Sequence, residues 1–292
     1  MKRLAALLLA TCIGVCSITV PASALSPVEV ENKGLYISPL RNYLTLNAGE
    51  SVTRAFTVAN LTDTPMDIST HIERFSVVDY NYDYEFGTAT NDWVAIKQQT
   101  FSLKPYESRE VMYSVTLPDS ATPGGYYYTL FAASTVTSGA TNTTLQAATL
   151  LYLTVNGTLK RTSVVTSHSL PFLVISPRVE YTLAVKNTGN VHYFAQLSSA
   201  VDGLFYHNAP NGTSQLLMPS KIRQLDASIA TPVIPGIYKL TYTITPDDGV
   251  GYAESRYFLY APLWFIILIG FLLAYGTYYV RKRRSKQVSE SE

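Results

Sequence analysis

Apolar and polar residues alternate at Val111, Tyr113, Val115 and Leu117, and again at Val179, Tyr181, Leu183 and Val185. The same alternation returns at Val191, Tyr193, Ala195 and Leu197, and at Tyr238, Leu240, Tyr242 and Ile244. A period of two gives an extended chain one face for a core and one for water, so each run predicts a β-strand. Pro, Gly, Asn or Asp bounds every run, as turns require. Asn187-Thr188-Gly189-Asn190 separates the second run from the third, which predicts an antiparallel pair about that turn. No comparable period of 3.6 occurs before the C-terminal segment, and many short strands without helices imply β-sandwiches.

The two ends have a different pattern. Ala261 to Val280 is an uncharged apolar run followed at once by Arg281-Lys282-Arg283-Arg284. Such a run matches a hydrocarbon core about 30 Å thick, and a cation cluster beside it stays on the cytoplasmic side. Tyr257, Tyr260 and Trp264 at one edge and Tyr275, Tyr278 and Tyr279 at the other fall where amphipathic rings favour membrane interfaces. At the start, Met1-Lys2-Arg3, the apolar Leu4 to Val20 and Ala22-Ser23-Ala24 have the form of a signal peptide. The expected fold class is therefore all-β: two tandem immunoglobulin-like antiparallel β-sandwiches followed by a single transmembrane α-helix. The expected divisions are a signal peptide at 1–24, one sandwich at 25–160, a second at 161–256, the membrane helix at 257–280 and a basic cytoplasmic tail at 281–292. The expected location is the cell membrane, single-pass, with the N-terminal region extracellular.

A faint internal repeat supports two sandwiches. Phe56-Thr57-Val58-Ala59-Asn60 corresponds to Leu183-Ala184-Val185-Lys186-Asn187, and Pro123-Gly124-Gly125-Tyr126 to Pro235-Gly236-Ile237-Tyr238. The first copy carries about 15 extra residues between Asn60 and Pro123. Ser134 to Thr144, rich in Ser, Thr and Gly, reads as an exposed loop, and Leu159 to Ser169 as a linker.

The interval with the extra residues contains Asp79-Tyr80-Asn81-Tyr82-Asp83-Tyr84-Glu85-Phe86, which alternates acids or amides with rings. One reading is an inserted hairpin packing its rings on the sandwich. A second is a sugar platform, because aromatic faces stack on pyranose rings while carboxylates accept hydroxyl hydrogens. Its contacts would be Tyr80, Tyr82 and Tyr84, with Trp93, Tyr126, Tyr127 and Tyr128. A third is calcium on Asp79, Asn81, Asp83 and Glu85, although Tyr84 stands where a hand-type loop needs Gly and Thr90 where it needs Glu.

Composition narrows the chemistry. Both cysteines, Cys12 and Cys16, lie in the leader, so the exported chain is expected to carry no thiol, disulfide or cysteine metal site. The formal charge of +1 combines both sides of the membrane; without the leader's Lys2 and Arg3 and the tail's charges, the exported part stands at −4. That balance has no footprint for nucleic acid. No nucleophile elbow, zinc-helix motif or phosphate-cradling glycine loop occurs, and His71, His168, His192 and His207 are scattered singly. No catalytic residue, no metal and no cofactor is expected, short of a carboxylate pair assembled by folding, such as Asp79 with Glu107. Sequons begin at Asn60, Asn142, Asn156 and Asn211.

Leu35-Tyr36-Ile37-Ser38-Pro39, Leu46-Asn47-Ala48-Gly49-Glu50, Val58-Ala59-Asn60, Phe101-Ser102-Leu103-Lys104-Pro105-Tyr106-Glu107-Ser108, and Leu117-Pro118 before Pro123-Gly124-Gly125-Tyr126 carry a resemblance. In this order they resemble the N-terminal domain of WxL-interacting surface proteins of Gram-positive bacteria and, more loosely, other immunoglobulin-like envelope proteins. The resemblance implies a first domain associated with peptidoglycan and a second with partner surface proteins or host ligands. The expected function is that of a membrane-anchored binding or adaptor protein whose sandwiches recognise cell-wall glycan or a secreted surface protein. The alternative is a structural spacer or assembly subunit of the envelope, and a third is an envelope hydrolase.

Overall fold

The structure is a computed structural model that describes residues 34–138, 141–247 and 251–289, with the side chains of 136–143 and 282–289 excepted. The expected signal peptide, the Asn142 side chain and the side chains of Lys282, Arg283 and Arg284 lie outside the described residues.

Strands β1 (Leu35–Ser38), β2 (Arg41–Leu46), β3 (Ser51–Asn60), β4 (Met66–Val77), β5 (Tyr84–Gly87), β6 (Val94–Ile96), β7 (Thr100–Leu103), β8 (Ser108–Thr116), β9 (Gly124–Ser138) and β10 (Thr141–Val155) build the first sandwich. One sheet has the order β1-β3-β8-β6; the other runs β2-β10-β9-β4-β5, with β7 also on β4. Strands β11 (Ser163–Ser169), β12 (Leu173–Val174), β13 (Arg178–Asn187), β14 (Tyr193–Gly203), β15 (Tyr206–Asn208), β16 (Thr213–Leu217), β17 (Ile222–Ala230), β18 (Gly236–Pro246) and β19 (Tyr252–Tyr260) build the second. Its sheets run β11-β13-β17 and β12-β19-β18-β14-β15, with β16 on β14. Helix α1 (Leu263–Ser289) follows.

Both sandwiches are immunoglobulin-like and have the same topology, strand for strand, except that among the described residues the second has no counterpart of β6. Each divides its opening strand between its two sheets: β1 joins β3 while β2 runs parallel to β10, and β11 joins β13 while β12 runs parallel to β19. The predicted alternation points inward. Phe56, Val111, Tyr113, Val115, Leu130 and Leu151 fill the first core, and Leu183, Val185, Leu240, Tyr242 and Phe258 the second. Each such side chain contributes about 2 kcal/mol by leaving water.

The run at Val179–Val185 does not pair with the run at Val191–Leu197. β13 belongs to one sheet and β14 to the other, so their apolar faces meet across the core. The turn between them crosses layers because Asn187 is fully buried and braces it: Nδ2 donates to Val191 O and Leu217 O at 3.0 Å, and Oδ1 accepts from Gly189 N at 2.8 Å. Asn60, its partner in the repeat, does the same with Thr64 O, Lys104 O and Thr62 N. The expected linker is also corrected, because Ser163–Ser169 is edge strand β11, whose polar residues face water. The expected loop at Ser134–Thr144 is the far end of the β9–β10 hairpin, whose pairing continues to Ser138 and Thr141.

Candidate functional site

The outward face of β4 and β10 carries a second apolar set, Phe75, Val77, Leu150 and Tyr152, which is too large to leave in water. It is covered by Met218 and Leu216 of the second sandwich and by Tyr82 and Tyr127 of the first. This aromatic junction gathers several of the predicted rings.

After β4, the chain doubles back through Asp79–Asp83. Val78 N donates to Asp83 O and Tyr82 N donates to Val78 O, and Tyr80 and Tyr82 adopt left-handed backbone at φ 74° and 61°. Bulky side chains adopt that region at a cost of about 1 kcal/mol each, so something must hold the loop. The second sandwich holds it. Tyr80 N donates to Ile222 O at 2.7 Å and Gln224 N donates to Tyr80 O at 3.1 Å, which adds the loop to the edge of β17. Ile222 N donates to Asp79 Oδ1 at 2.7 Å, and Met218 N donates to the Tyr82 hydroxyl at 3.0 Å. The Arg223 guanidinium lies 4.7 Å from the Tyr82 ring centre and donates to Leu216 O.

A second set of bonds joins Pro123–Tyr127 to Asn190–His192. Gly125 N donates to Asn190 O, and Asn190 Nδ2 donates to Pro123 O and Thr158 O. His192 N donates to the Tyr127 hydroxyl at 3.0 Å, and that oxygen lies 3.2 Å from His192 Nδ1. Gly124 requires its glycine here: its φ is 152° and a Cβ would come 3.0 Å from Asn190 O. The His192 ring sits among Tyr43, Tyr127 and Tyr152. Burial, with the nearby Arg161 charge, holds its pKa down to about 4. Burial also pushes the Tyr127 and Tyr152 hydroxyls well above their ordinary value.

Two clefts open beside Tyr152. One of 230 Å³ is lined by Arg41, Tyr82, Tyr84 and Arg223, and one of 330 Å³ by Tyr43, Asn156, Arg161 and His192; Phe194 borders both.

The seven predicted ring contacts do not share one surface. Tyr80 and Tyr82 are in the junction loop, with Tyr80 exposed. Tyr84 is exposed on β5, with its hydroxyl 3.5 Å from Arg41. Trp93 and Tyr126 pack against each other at 4.6 Å and line the first core, Tyr127 is in the junction, and Tyr128 is buried and donates to Asn91. Of the calcium candidates, Asp79 is occupied by Ile222, while Asn81 donates to Asp83 at 2.5 Å. Among the described residues no group of three or more His, Cys, Asp or Glu is placed to hold a metal. Glu107 accepts from Lys104 N within its own turn, whereas Asp79 accepts from Ile222 N across the junction, so the two carboxylates serve separate contacts. His71 and Glu73 share a strand face at 3.6 Å. Trp264 and Arg281 stand near the two ends of an apolar stretch of α1, none of which is buried. Arg41, Tyr43, Met218 and Arg223 escaped the sequence reading because their partners lie far away in the chain, and Asn190 and His192 were read only as a turn residue and a scattered histidine.

No family model matches the chain, and no curated protein matches it. Solved structures similar to it include the class 5 fimbriae chaperone CfaA, at 12% identity and TM-score 0.41 over 79% of this chain and 100% of that one. Others are the CsuC–CsuE chaperone–tip adhesin pre-assembly complex of Acinetobacter baumannii (12%, TM-score 0.39, 77% and 98%) and the Salmonella enterica SafA pilin with the SafB chaperone (13%, 0.35, 77% and 96%). These likenesses concern the arrangement of sandwiches alone. With no family model matching the chain, the expected membership in the WxL-interacting family is corrected, and with it the peptidoglycan role that the resemblance implied for the first domain. The residues behind that resemblance are strand and turn signals such as Asn60 and Pro123-Gly124-Gly125-Tyr126, and sandwiches of other families need the same signals.

Proposed function

We propose that this chain is a membrane-anchored, non-enzymatic structural or assembly protein of the cell envelope, which holds a secreted or surface protein partner. One observation carries the reading: the Asp79–Tyr82 segment, the strongest candidate for a glycan platform, is used to join the two sandwiches. A protein whose most unusual sequence fixes the geometry between its domains acts by presenting surfaces in a set relation.

The partner surface in this reading is the free side of β17. Its backbone groups point outward at every second residue, and Tyr80 occupies those of Ile222 and Gln224. Beyond them Asp226 and the N–H groups of Ser228 and Ala230 offer an edge to which a strand can be added, although Ser228 O already accepts from Arg178 and Ala230 O from Tyr206; among the described residues the second sandwich has no strand in the place of β6. α1 is the anchor, long and apolar enough to cross a membrane.

The test uses the full chain in detergent or nanodiscs. Tyr82→Ala with Arg223→Ala is expected to loosen the fixed spacing of the sandwiches, read by small-angle scattering, and to leave retention on purified cell-wall glycan at the background level. Saturable retention of the wild type on that glycan, lost in Tyr80→Ala with Tyr84→Ala, would restore the glycan-binding reading in its place.

A further inference from the structure

The end of the second sandwich from which α1 departs carries an apolar surface that neither core uses. The turn from β14 to β15 presents Leu204 and Phe205, 87% and 89% exposed, and the β17–β18 connection presents Val233, 86% exposed, and Ile234. These loops are fixed in place. Tyr206 donates through its hydroxyl to Ala230 O at 3.2 Å, Tyr238 donates to Ile234 O at 2.7 Å, and the two rings meet edge to face at 6.0 Å. With Ile237 they border an open hollow of 570 Å³. An ordered, contiguous apolar patch of this kind marks a surface that another apolar phase covers.

The position of the patch in the fold identifies that phase. Gly236 pairs with Tyr260 and Ile237 with Leu259, so the patch lies beside the last residues of β19. Ala261 and Pro262 alone separate β19 from α1. On the other side of β19, Leu173 pairs with Leu259, and Phe172 and Ile175 are exposed next to it. Exposed apolar residues therefore flank the root of the helix on both sides. The two loop tips, Leu204-Phe205 and Pro232-Val233-Ile234-Pro235, contain no charge. Charged groups begin one step away: Lys239 opposite Tyr257, Arg178 bonded to Ser228, and Asp202 paired with His207. Tips without charge, bordered by Lys and Arg and by the exposed ring of Tyr257, match the sequence of apolar, interfacial and headgroup layers met on leaving a bilayer.

We propose that these loop tips insert into the outer leaflet around α1, so that the second sandwich is seated on the lipid and does not stand clear of it. The inference rests on the reading of α1 as a membrane span, and its test separates the two. The full chain is reconstituted in phosphatidylcholine nanodiscs, with or without lipid brominated near the carbonyl end of its chains, and indole fluorescence is compared. In a Trp93→Phe background, native Trp264 reports the helix. Phe205→Trp or Val233→Trp, made with Trp93→Phe and Trp264→Phe, reports the two tips; both positions are exposed, and two independent reporters protect against one misfolding. The expected result is quenching of about two-fold at Trp264 and at both tips, because interfacial segments reach about 5–10 Å into the acyl boundary. Quenching at Trp264 with none at either tip overturns the seating and leaves the anchor intact. No quenching at any position overturns both. A tip whose emission is blue-shifted yet insensitive to bromine is covered by protein, a second copy or a partner, and likewise overturns the proposal.

Discussion

Asn60 and Asn187 occupy equivalent corners and are both fully buried, with the side-chain amide donating twice and the oxygen accepting from the residue two positions on. Asn187→Ala leaves the carbonyls of Val191 and Leu217 without a donor, and the expected loss is about 3 kcal/mol, measured by denaturant unfolding. The same geometry decides one sequon. Peptide mapping of chain produced in a glycosylating host is expected to find Asn60 unmodified, because its nitrogen is sealed in the corner, whereas Asn156 and Asn211 are exposed. His192 gives a pH prediction. Its pKa is lowered from 6.5 to about 4 in the folded chain, so the unfolded chain binds the extra proton first. Stability is full above about pH 6.5 and falls as pH drops toward 4, by up to about 3 kcal/mol, and His192→Gln is expected to flatten that stretch of the stability–pH curve.

At the scale of elements, the junction loop is the informative piece. Tyr82→Phe removes only the bond from Met218 N and is expected to cost about 1 kcal/mol, while Tyr82→Ala also empties the space under Arg223 and is expected to cost about 3 kcal/mol, both read from thermal or denaturant midpoints. Ser228→Pro removes an outward N–H from the free edge of β17 and also the hydroxyl that accepts from Arg178, so it is expected to weaken capture of a partner strand at a cost of about 1 kcal/mol in unfolding stability. The alternation at Val111–Leu117 and Tyr238–Ile244 was legible because burial on one face imposes a period of two on any sandwich strand. The Asn and Pro-Gly repeat was legible because corners have few chemical solutions. The pairing of Val179–Val185 with Val191–Leu197 was misread, since a turn sequence does not say whether the chain continues in one sheet or crosses to the other. Nor could the acid-and-ring run of Asp79–Phe86 disclose its use, because its partners Met218, Ile222 and Arg223 lie more than a hundred residues away and touch it only after both sandwiches have formed.

At the scale of the whole molecule, the same topology occurs twice, and the copies differ by one short strand. β6 covers Tyr113–Val115 of β8 in the first sandwich, no such strand lies on β17 among the described residues, and the insert of the neighbouring sandwich adds to β17 nearer its start, at Ile222 and Gln224. The connection at the other end has a mechanical side. Ala261 donates to Val174 O, and Pro262 O already accepts from Phe265 and Ile266, so strand hydrogen bonding passes into helical hydrogen bonding without a slack residue between them. A pull on the far sandwich is thereby borne in series by the Tyr82 and Asn190 bonds, the β18–β19 ladder and the first turn of α1, with no loose tether to absorb it. Such a chain suits a part that carries load at a fixed height and bearing, and inserting a few Gly-Ser residues after Ala261 would disconnect that load path without altering a single contact inside either sandwich.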